Sequence, residues 1–268
     1  MESWLRISSE ITKIGPDTLF KVGGFPVTNS LLAILMIVVG FVILSLWIGN
    51  TFKIKPRRPQ LLVEFIYEKM YDLIGQITGH PYYAKKVFPL IASLFVYLAV
   101  ANLFGVVPGL TSFTYQGLPI FRTPTTDFNT TFGLAVAMVL FTQAISLQNW
   151  GLVGYLGKFF QFKEIYLGFK QGVSEGSVAI IGFFVGLLDI VSEFAKVISL
   201  SLRLFGNIYA GEVLAIVFMS ALAYGLPAVL LASGLFFGLI QAMVFGSLVA
   251  AYYMSMVNPA LAEGEPES

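Results

Sequence analysis

Between Gly176 and Tyr224 the chain is almost wholly apolar, yet it carries Asp189, Glu193, Lys196, Arg203 and Glu212. Ionisable groups inside such a stretch are expensive to keep and mark a pathway for ions or protons. With Asp189 at zero and about 100° of rotation per residue, Glu193 falls near +40°, Lys196 near −20°, Arg203 near −40° and Asn207 near 0°. Ser192 and Ser199 follow at about −60° and −80° on the same period. Seven polar side chains thus share an arc of about 120° over a rise of roughly 27 Å. This is a polar rail along one membrane helix.

Lys196 has two acids on its own face, Glu193 three residues before it and Asp189 seven, so the trio reads either as an ion-pair cluster or as part of a path. Arg203 has no acid three or four positions away. Its spacing points to another helix or another chain, or to a watery cavity. Glu212, nine residues beyond Arg203, lies about 180° round the helix and ~13 Å along it. A carboxyl group enclosed away from the rail suits a proton relay better than a fixed charge. Farther on, Gly234, Gly238, Ala242, Gly246 and Ala250 repeat every fourth residue, a small-residue face that lets another helix approach. Gln241 is the strongly polar residue inside that segment, placed either to bond across to the Arg203 helix or simply to hold helices together.

The elements that must position these groups are membrane helices. The 268 residues are 57% hydrophobic and 12% charged, with a mean hydropathy of +0.82. A soluble domain carries about 25% charged residues. A span needs about 20 apolar residues, and four stretches meet that: Ser30 to Gly49, Val87 to about Val107, Thr131 to Trp150, and Pro227 to about Val257. The second is expected to start through Pro89 and stop at Pro108-Gly109; the last has Pro259 as its stop. The fifth stretch, 176–224, is roughly 70 Å long as a helix, more than twice the ~30 Å hydrocarbon thickness. It must tilt or break near Gly206 or Gly211. The absence of a turn dipeptide favours the tilt. Gln60 to Thr78, with Leu61, Phe65, Met70 and Ile74 among Glu64, Glu68, Lys69 and Asp72, reads as an amphipathic surface helix, a pattern shared by helices packed on protein.

The fold class is therefore an all-α polytopic membrane protein: five membrane helices and a surface amphipathic helix, the last two membrane helices forming a long tilted hairpin. Lys53, Lys55, Arg57, Arg58, Lys69, Lys85, Lys86, Lys158, Lys163 and Lys170 fall on one side, against Arg6, Lys13, Lys21 and Arg122 on the other. The more basic side is cytoplasmic. Residues 1–268 then form a single membrane domain with an external segment 1–29, a membrane region 30–257 and an acidic cytoplasmic tail 258–268 containing Glu263, Glu265 and Glu267. The start Met1-Glu2-Ser3-Trp4 lacks the basic stretch of a signal peptide, so no cleavage is expected. A net charge of +1 argues against a nucleic-acid partner, and the absence of cysteine excludes disulfides and thiolate metal sites.

The runs Val191-Ser192-Glu193-Phe194-Ala195-Lys196, Ser199-Leu200-Ser201-Leu202-Arg203-Leu204-Phe205-Gly206-Asn207 and Tyr209-Ala210-Gly211-Glu212 resemble the signature of subunit a of F-type ATP synthases. Asn102-Leu103-Phe104-Gly105, Asp127-Phe128-Asn129-Thr130-Thr131 and Leu239-Ile240-Gln241-Ala242 extend the resemblance over roughly residues 30–257. It implies a proton-conducting stator subunit beside a ring of small c-type subunits, each with a membrane-embedded carboxylate, and braced by peripheral-stalk b-type subunits. It implies that Arg203 is the essential arginine, attracting the ionised ring carboxylate and blocking a leak between two half-channels. The outward half-channel would use Glu212, Gln241 and Asn207, with Asn102 and Asp127 at its mouth; the inward one would use Asp189, Glu193, Ser192 and Ser199. The implied setting is a bacterial plasma (inner) membrane, with no cofactor or metal and the ATP chemistry elsewhere in the complex. Where some members carry a His seven residues before the Gln, this chain has Gly234. His80, beside Pro81 in a cytoplasmic loop, does not replace it and is expected at the surface.

A free-standing ion-coupled secondary transporter is the main alternative, but such proteins repeat their broken helices in two halves and the rail has no second copy. An intramembrane hydrolase has no HExxH motif to rest on here, and no phosphate-binding glycine loop is present.

Overall fold

In hydrocarbon every backbone N–H and C=O must find its partner within the segment, which leaves the helix as the solution for each apolar run. The computed structural model describes residues 15–52, 58–105, 113–159, 165, 167, 170, 172–221 and 226–257. Arg6, Lys13, Lys53, Lys55, Arg57, Lys163, Pro108-Gly109, Pro259 and the acidic tail lie outside these. The helices are α1 (Asn29–Thr51), α2 (Arg58–Thr78), α3 (Pro81–Phe104), α4 (Phe128–Phe159), α5 (Val173–Ala221) and α6 (Leu226–Val257). Five are long and apolar enough to cross a membrane: α1, α3, α4, α5 and α6. Two short antiparallel hairpins precede α1 and α4: β1 (Thr18–Val22) with β2 (Phe25–Thr28), and β3 (Thr114–Tyr115) with β4 (Leu118–Pro119). Neither was expected from a chain dominated by apolar runs.

The contacts divide the chain into two compact units, Met1–Gly133 with Ser201–Ala250, and Leu134–Leu200 with Ala251–Ser268. In the first, Thr28 caps α1 by accepting from the Leu31 N–H at 3.3 Å. Ala33 and Ile37 of α1 pack on Ala101 and Phe104 of α3, while Leu35, Val39, Ile43 and Leu46 remain exposed for lipid. The second span starts earlier than expected. His80 caps it by accepting from the Tyr82 N–H, Pro81 occupies the first turn, and Pro89 lies inside the helix. Hydropathy located the hydrocarbon boundary near Val87; capping, not hydropathy, decides where the helix begins. His80 itself is exposed.

Helix α2 reconciles the two readings of its pattern. Tyr67 and Tyr71 meet the Phe88 ring edge-on at 4.6 and 5.4 Å and Ile74 is buried, while Leu61, Leu62 and Phe65 stay exposed. The small-residue face of α6 meets α3 most closely, and at Gly238 it also meets Ile208 of the Arg203 helix. A Cβ on Gly238 would stand 3.0 Å from Asn102 Cβ, and one on Gly246 would stand 3.2 Å from Ile91 Cγ2. Phe205 of α5 meets the Phe128 ring edge-on at 5.7 Å and stacks on Tyr209 at 5.0 Å, fixing the part of α5 that carries Arg203 and Glu212.

In the second unit α4 is interrupted at Gly151 (φ 67, ψ 170), a conformation glycine holds without strain, one residue after the expected end of the third span. Trp150 Nε1 donates to the Met256 carbonyl at 3.3 Å.

Helix α5 does not break near Gly206 or Gly211: its 49 residues form one continuous helix. The 39 residues Gly176–Leu214 are the apolar part. At ~1.5 Å per residue they measure ~58 Å, and they fit a ~30 Å core only with the axis well away from the membrane normal.

Gly238→Val is expected to lower stability by about 1–3 kcal/mol through overpacking against Asn102, read as a drop in the thermal midpoint of the purified protein. Gly40→Ala, at a position with open space around it, should leave that midpoint unchanged or raise it; equal midpoints for the two variants would contradict the α3–α6 seam.

Candidate functional site

Glu212 and Arg203 occupy different surroundings within the first unit. Arg203 is exposed and Glu212 half-buried. The Thr123 hydroxyl donates to Glu212 Oε1 at 2.5 Å. Thr123 is itself buried, and it sits in a loop that precedes a short 3-10 turn, Pro124–Thr126. Arg122 braces that loop: its guanidinium donates to the Gly15 carbonyl at 2.6 Å, and to Thr126 Oγ1 and the Thr126 carbonyl at 3.3 Å each. Opposite the loop stands Gly105, where a Cβ would run into the Thr123 hydroxyl and lie 3.1 Å from Glu212 Oε1.

The other expected residues of this group divide by what holds them. Asn207 donates to the Phe237 carbonyl at 3.4 Å, joining α5 to α6. Asn102 is buried in the α3–α6 seam and donates to the Gly238 carbonyl at 2.8 Å, while its Oδ1 has no hydrogen-bond partner among the described residues. Gln241 is buried too, and its Nε2 makes no hydrogen bond among those residues. Asp127 has both oxygens engaged. Oδ1 accepts from the Asn129 N–H at 2.9 Å, and Oδ2 accepts from Ser30 at 2.7 Å and Thr130 at 3.3 Å, so the carboxylate caps α4 and ties it to α1. Gly234 is half-buried with open space where a side chain would start.

The second unit gathers another polar group. Lys196 Nζ donates to Glu193 Oε1 at 2.7 Å and stands over the Tyr252 ring, 5.0 Å from its centroid. Of the two acids available by spacing, Glu193 is the one paired in the structure. Glu193 Oε2 and Gln143 Nε2 are buried atoms without a hydrogen-bond partner among the described residues. The Tyr155 hydroxyl donates to Gln143 Oε1 at 3.1 Å. Burial, and then the Glu193 charge, push the Tyr155 phenol above its usual range. Asp189 is half-buried; Ser192 and Ser199 are exposed.

Spacing along the chain did not reveal Thr123, Gly105, Tyr155, Gln143 or Tyr252. Thr123 and the tyrosines are neither charged nor motif-bound, and they come to Glu212 and to the Glu193–Lys196 pair from other elements. One signal was present for the first pair: Arg122 and three threonines crowd the five positions before Asp127.

A half-enclosed glutamate, an exposed arginine and a paired lysine and glutamate on one 49-residue helix are the features the sequence runs had suggested. A family model described as ATP synthase A chain matches residues 30–254. The chain belongs to the ATP synthase A chain family. It is 31% identical over 242 residues to a sodium-ion-specific ATP synthase subunit a of Propionigenium modestum, covering 88% of this chain and 76% of that one. It is 27% identical over 252 residues to an ATP synthase subunit a of Moorella thermoacetica, covering 92% and 99% respectively. A Legionella pneumophila ATP synthase subunit a shares 26% identity over 252 residues, covering 93% of this chain and 95% of the relative. As an ATP synthase A chain it is a multi-pass membrane protein, an ion-translocating component of the synthase's membrane sector and not its catalytic subunit. The free-standing transporter finds no support in these matches.

Lys196→Met would strand the Glu193 carboxylate, since the two side chains are 19% and 15% exposed. The expected cost is about 3 kcal/mol, at the lower end for breaking a buried pair. Removing both charges in Glu193→Gln/Lys196→Met should recover part of it. Heat inactivation of the detergent-solubilised protein measures both; a single variant as stable as the double would show that the pair contributes nothing.

Proposed function

We propose that this chain is the proton-conducting stator subunit of a rotary ATP synthase. Protons enter through an outer half-channel at Glu212, with Gln241, Asn207 and Asn102 along it, and neutralise the carboxylate of a neighbouring small ring subunit. After nearly a full turn of the ring they leave through an inner half-channel at Asp189, Glu193, Ser192 and Ser199. Arg203 stands between, holding the passing ring carboxylate ionised and preventing a direct leak. The single observation that supports this division is that Arg203 is exposed, as a residue meeting another chain must be, while Glu212 is drawn into a hydroxyl-lined recess of the same unit. Asp127, at the mouth of the outer half-channel, also ties the start of α4 to α1 through Ser30.

The chain acts as one membrane domain, 1–268, braced by peripheral-stalk b-type subunits in a bacterial plasma membrane. The excess of basic residues in loops 50–86 and 151–176 supports an external N-terminus and a cytoplasmic C-terminus. The transported ion is the proton. The Propionigenium modestum relative is named sodium ion specific, so the choice is tested directly: ATP-driven acidification of membrane vesicles is expected to proceed without added sodium, and a strict sodium requirement would overturn it.

Arg203→Ala is expected to abolish ATP-driven proton pumping in vesicles while the assembled complex is retained; coupled pumping by that variant would sink the mechanism. Glu212→Gln is expected to slow proton flow with assembly intact, and an unaltered flux would remove Glu212 from the path.

A further inference from the structure

The helical spacing left Glu212 without a partner on its own helix, and the structure brings one from the loop before α4. We propose that Thr123 is the positioning residue of the Glu212 proton relay and that Gly105 keeps the space through which its hydroxyl reaches the carboxyl group; both roles rest on the Glu212 path described under the proposed function.

A hydroxyl offers one donor and two acceptor lone pairs. By rotating, Thr123 donates to Glu212 when that residue is ionised and accepts from it when it is protonated, so the same contact at 2.5 Å serves both states without moving the backbone. A relay that changes charge each cycle needs a partner of this kind. A fixed cation satisfies the ionised form and opposes the protonated one.

The Thr123 side chain is buried, and its loop is held from both sides. Thr126 Oγ1 donates to the Thr123 carbonyl at 2.9 Å, and Arg122 grips Thr126 at its hydroxyl and its carbonyl. The hydroxyl is therefore presented at a fixed place. Its contact holds the Glu212 carboxyl in one rotamer, and positional control of this kind governs proton-transfer rates.

Gly105 gives an independent indication. Its backbone is ordinary right-handed helical (φ −69, ψ −21), a conformation open to any residue. Conformation does not call for glycine there; space does. A methyl group at that position would collide with the Thr123 hydroxyl and crowd Glu212 Oε1. The two side chains touching that vacant volume are the two partners of the hydrogen bond.

The test measures ATP-driven proton pumping by the intact complex in membrane vesicles, normalised to the amount of assembled complex. Thr123→Val, which keeps the shape and removes the hydroxyl, is expected to slow pumping about tenfold, the scale of one hydrogen bond to a charged group. Thr123→Ser should restore most of the rate, and Gly105→Ala, which displaces the hydroxyl, should slow it as Thr123→Val does. In a Glu212→Gln background, Thr123→Val should have little further effect. Wild-type rates for Thr123→Val, a Thr123→Ser variant as slow as Thr123→Val, or an undiminished Thr123→Val effect beside Glu212→Gln would each overturn the proposal. If Thr123→Val does not assemble, Gly105→Ala decides alone, and wild-type pumping by it overturns the proposal. The Glu212→Gln single variant separates the two levels. If it pumps normally the Glu212 path itself is wrong, whereas a slow Glu212→Gln with a normal Thr123→Val removes only the role given to Thr123.

Discussion

Hydrocarbon supplies no hydrogen-bond partners and solvates no charges, and every feature of this chain answers to that. The backbone answers by closing its bonds inside five membrane helices. The side chains answer one by one. Glu193 takes Lys196, Glu212 takes the Thr123 hydroxyl, and Asp127 spends both oxygens on the start of α4 and on Ser30 of α1. Only a polar group reached by water or by another chain escapes the requirement, and Arg203 is exposed. Structure and function therefore share one set of contacts: the interactions that make a charge tolerable are the ones that tune its affinity for a proton.

Packing in such a medium cannot rely on the hydrophobic effect, because lipid tails are as apolar as the side chains they would leave. The α3–α6 seam shows what replaces it. Gly238 and Gly246 bring the two helices close enough for Asn102 to donate to a carbonyl of the neighbouring helix. The same closeness encloses Asn102 Oδ1 and Gln241 Nε2, an acceptor and a donor with no partner among the described residues. Polar atoms left open beside a proposed proton path are sites where water chains form at least cost.

Much of the fold was legible in the sequence because membrane helices are defined by the length and composition of single segments. The five spans, the surface helix and the unbroken character of α5 all follow from local runs. Helix starts were less legible. Pro89 suggested a boundary, yet His80 and Pro81 set it, since capping is a matter of one or two residues and not of hydropathy. The site divides along the same line. The Glu193–Lys196 pair, three residues apart on one helix, was open to reading from the sequence. Thr123, 89 residues from Glu212 in the chain, was not, because an uncharged hydroxyl has no periodic signature and its meaning comes from what the fold sets opposite it. The face that meets the small residues of α6 was likewise undetermined, as a glycine stripe names a close approach without naming the partner.

The continuity of α5 has a mechanical side. Helices bend sharply at prolines, Gly/Ser pairs, bulges or inserted water, and α5 contains no proline over its 49 residues. No proline hinge therefore stands beside Arg203. In the proposed function such a hinge would be a disadvantage, since a helix pressed by a moving neighbour keeps its place only where it does not fold aside.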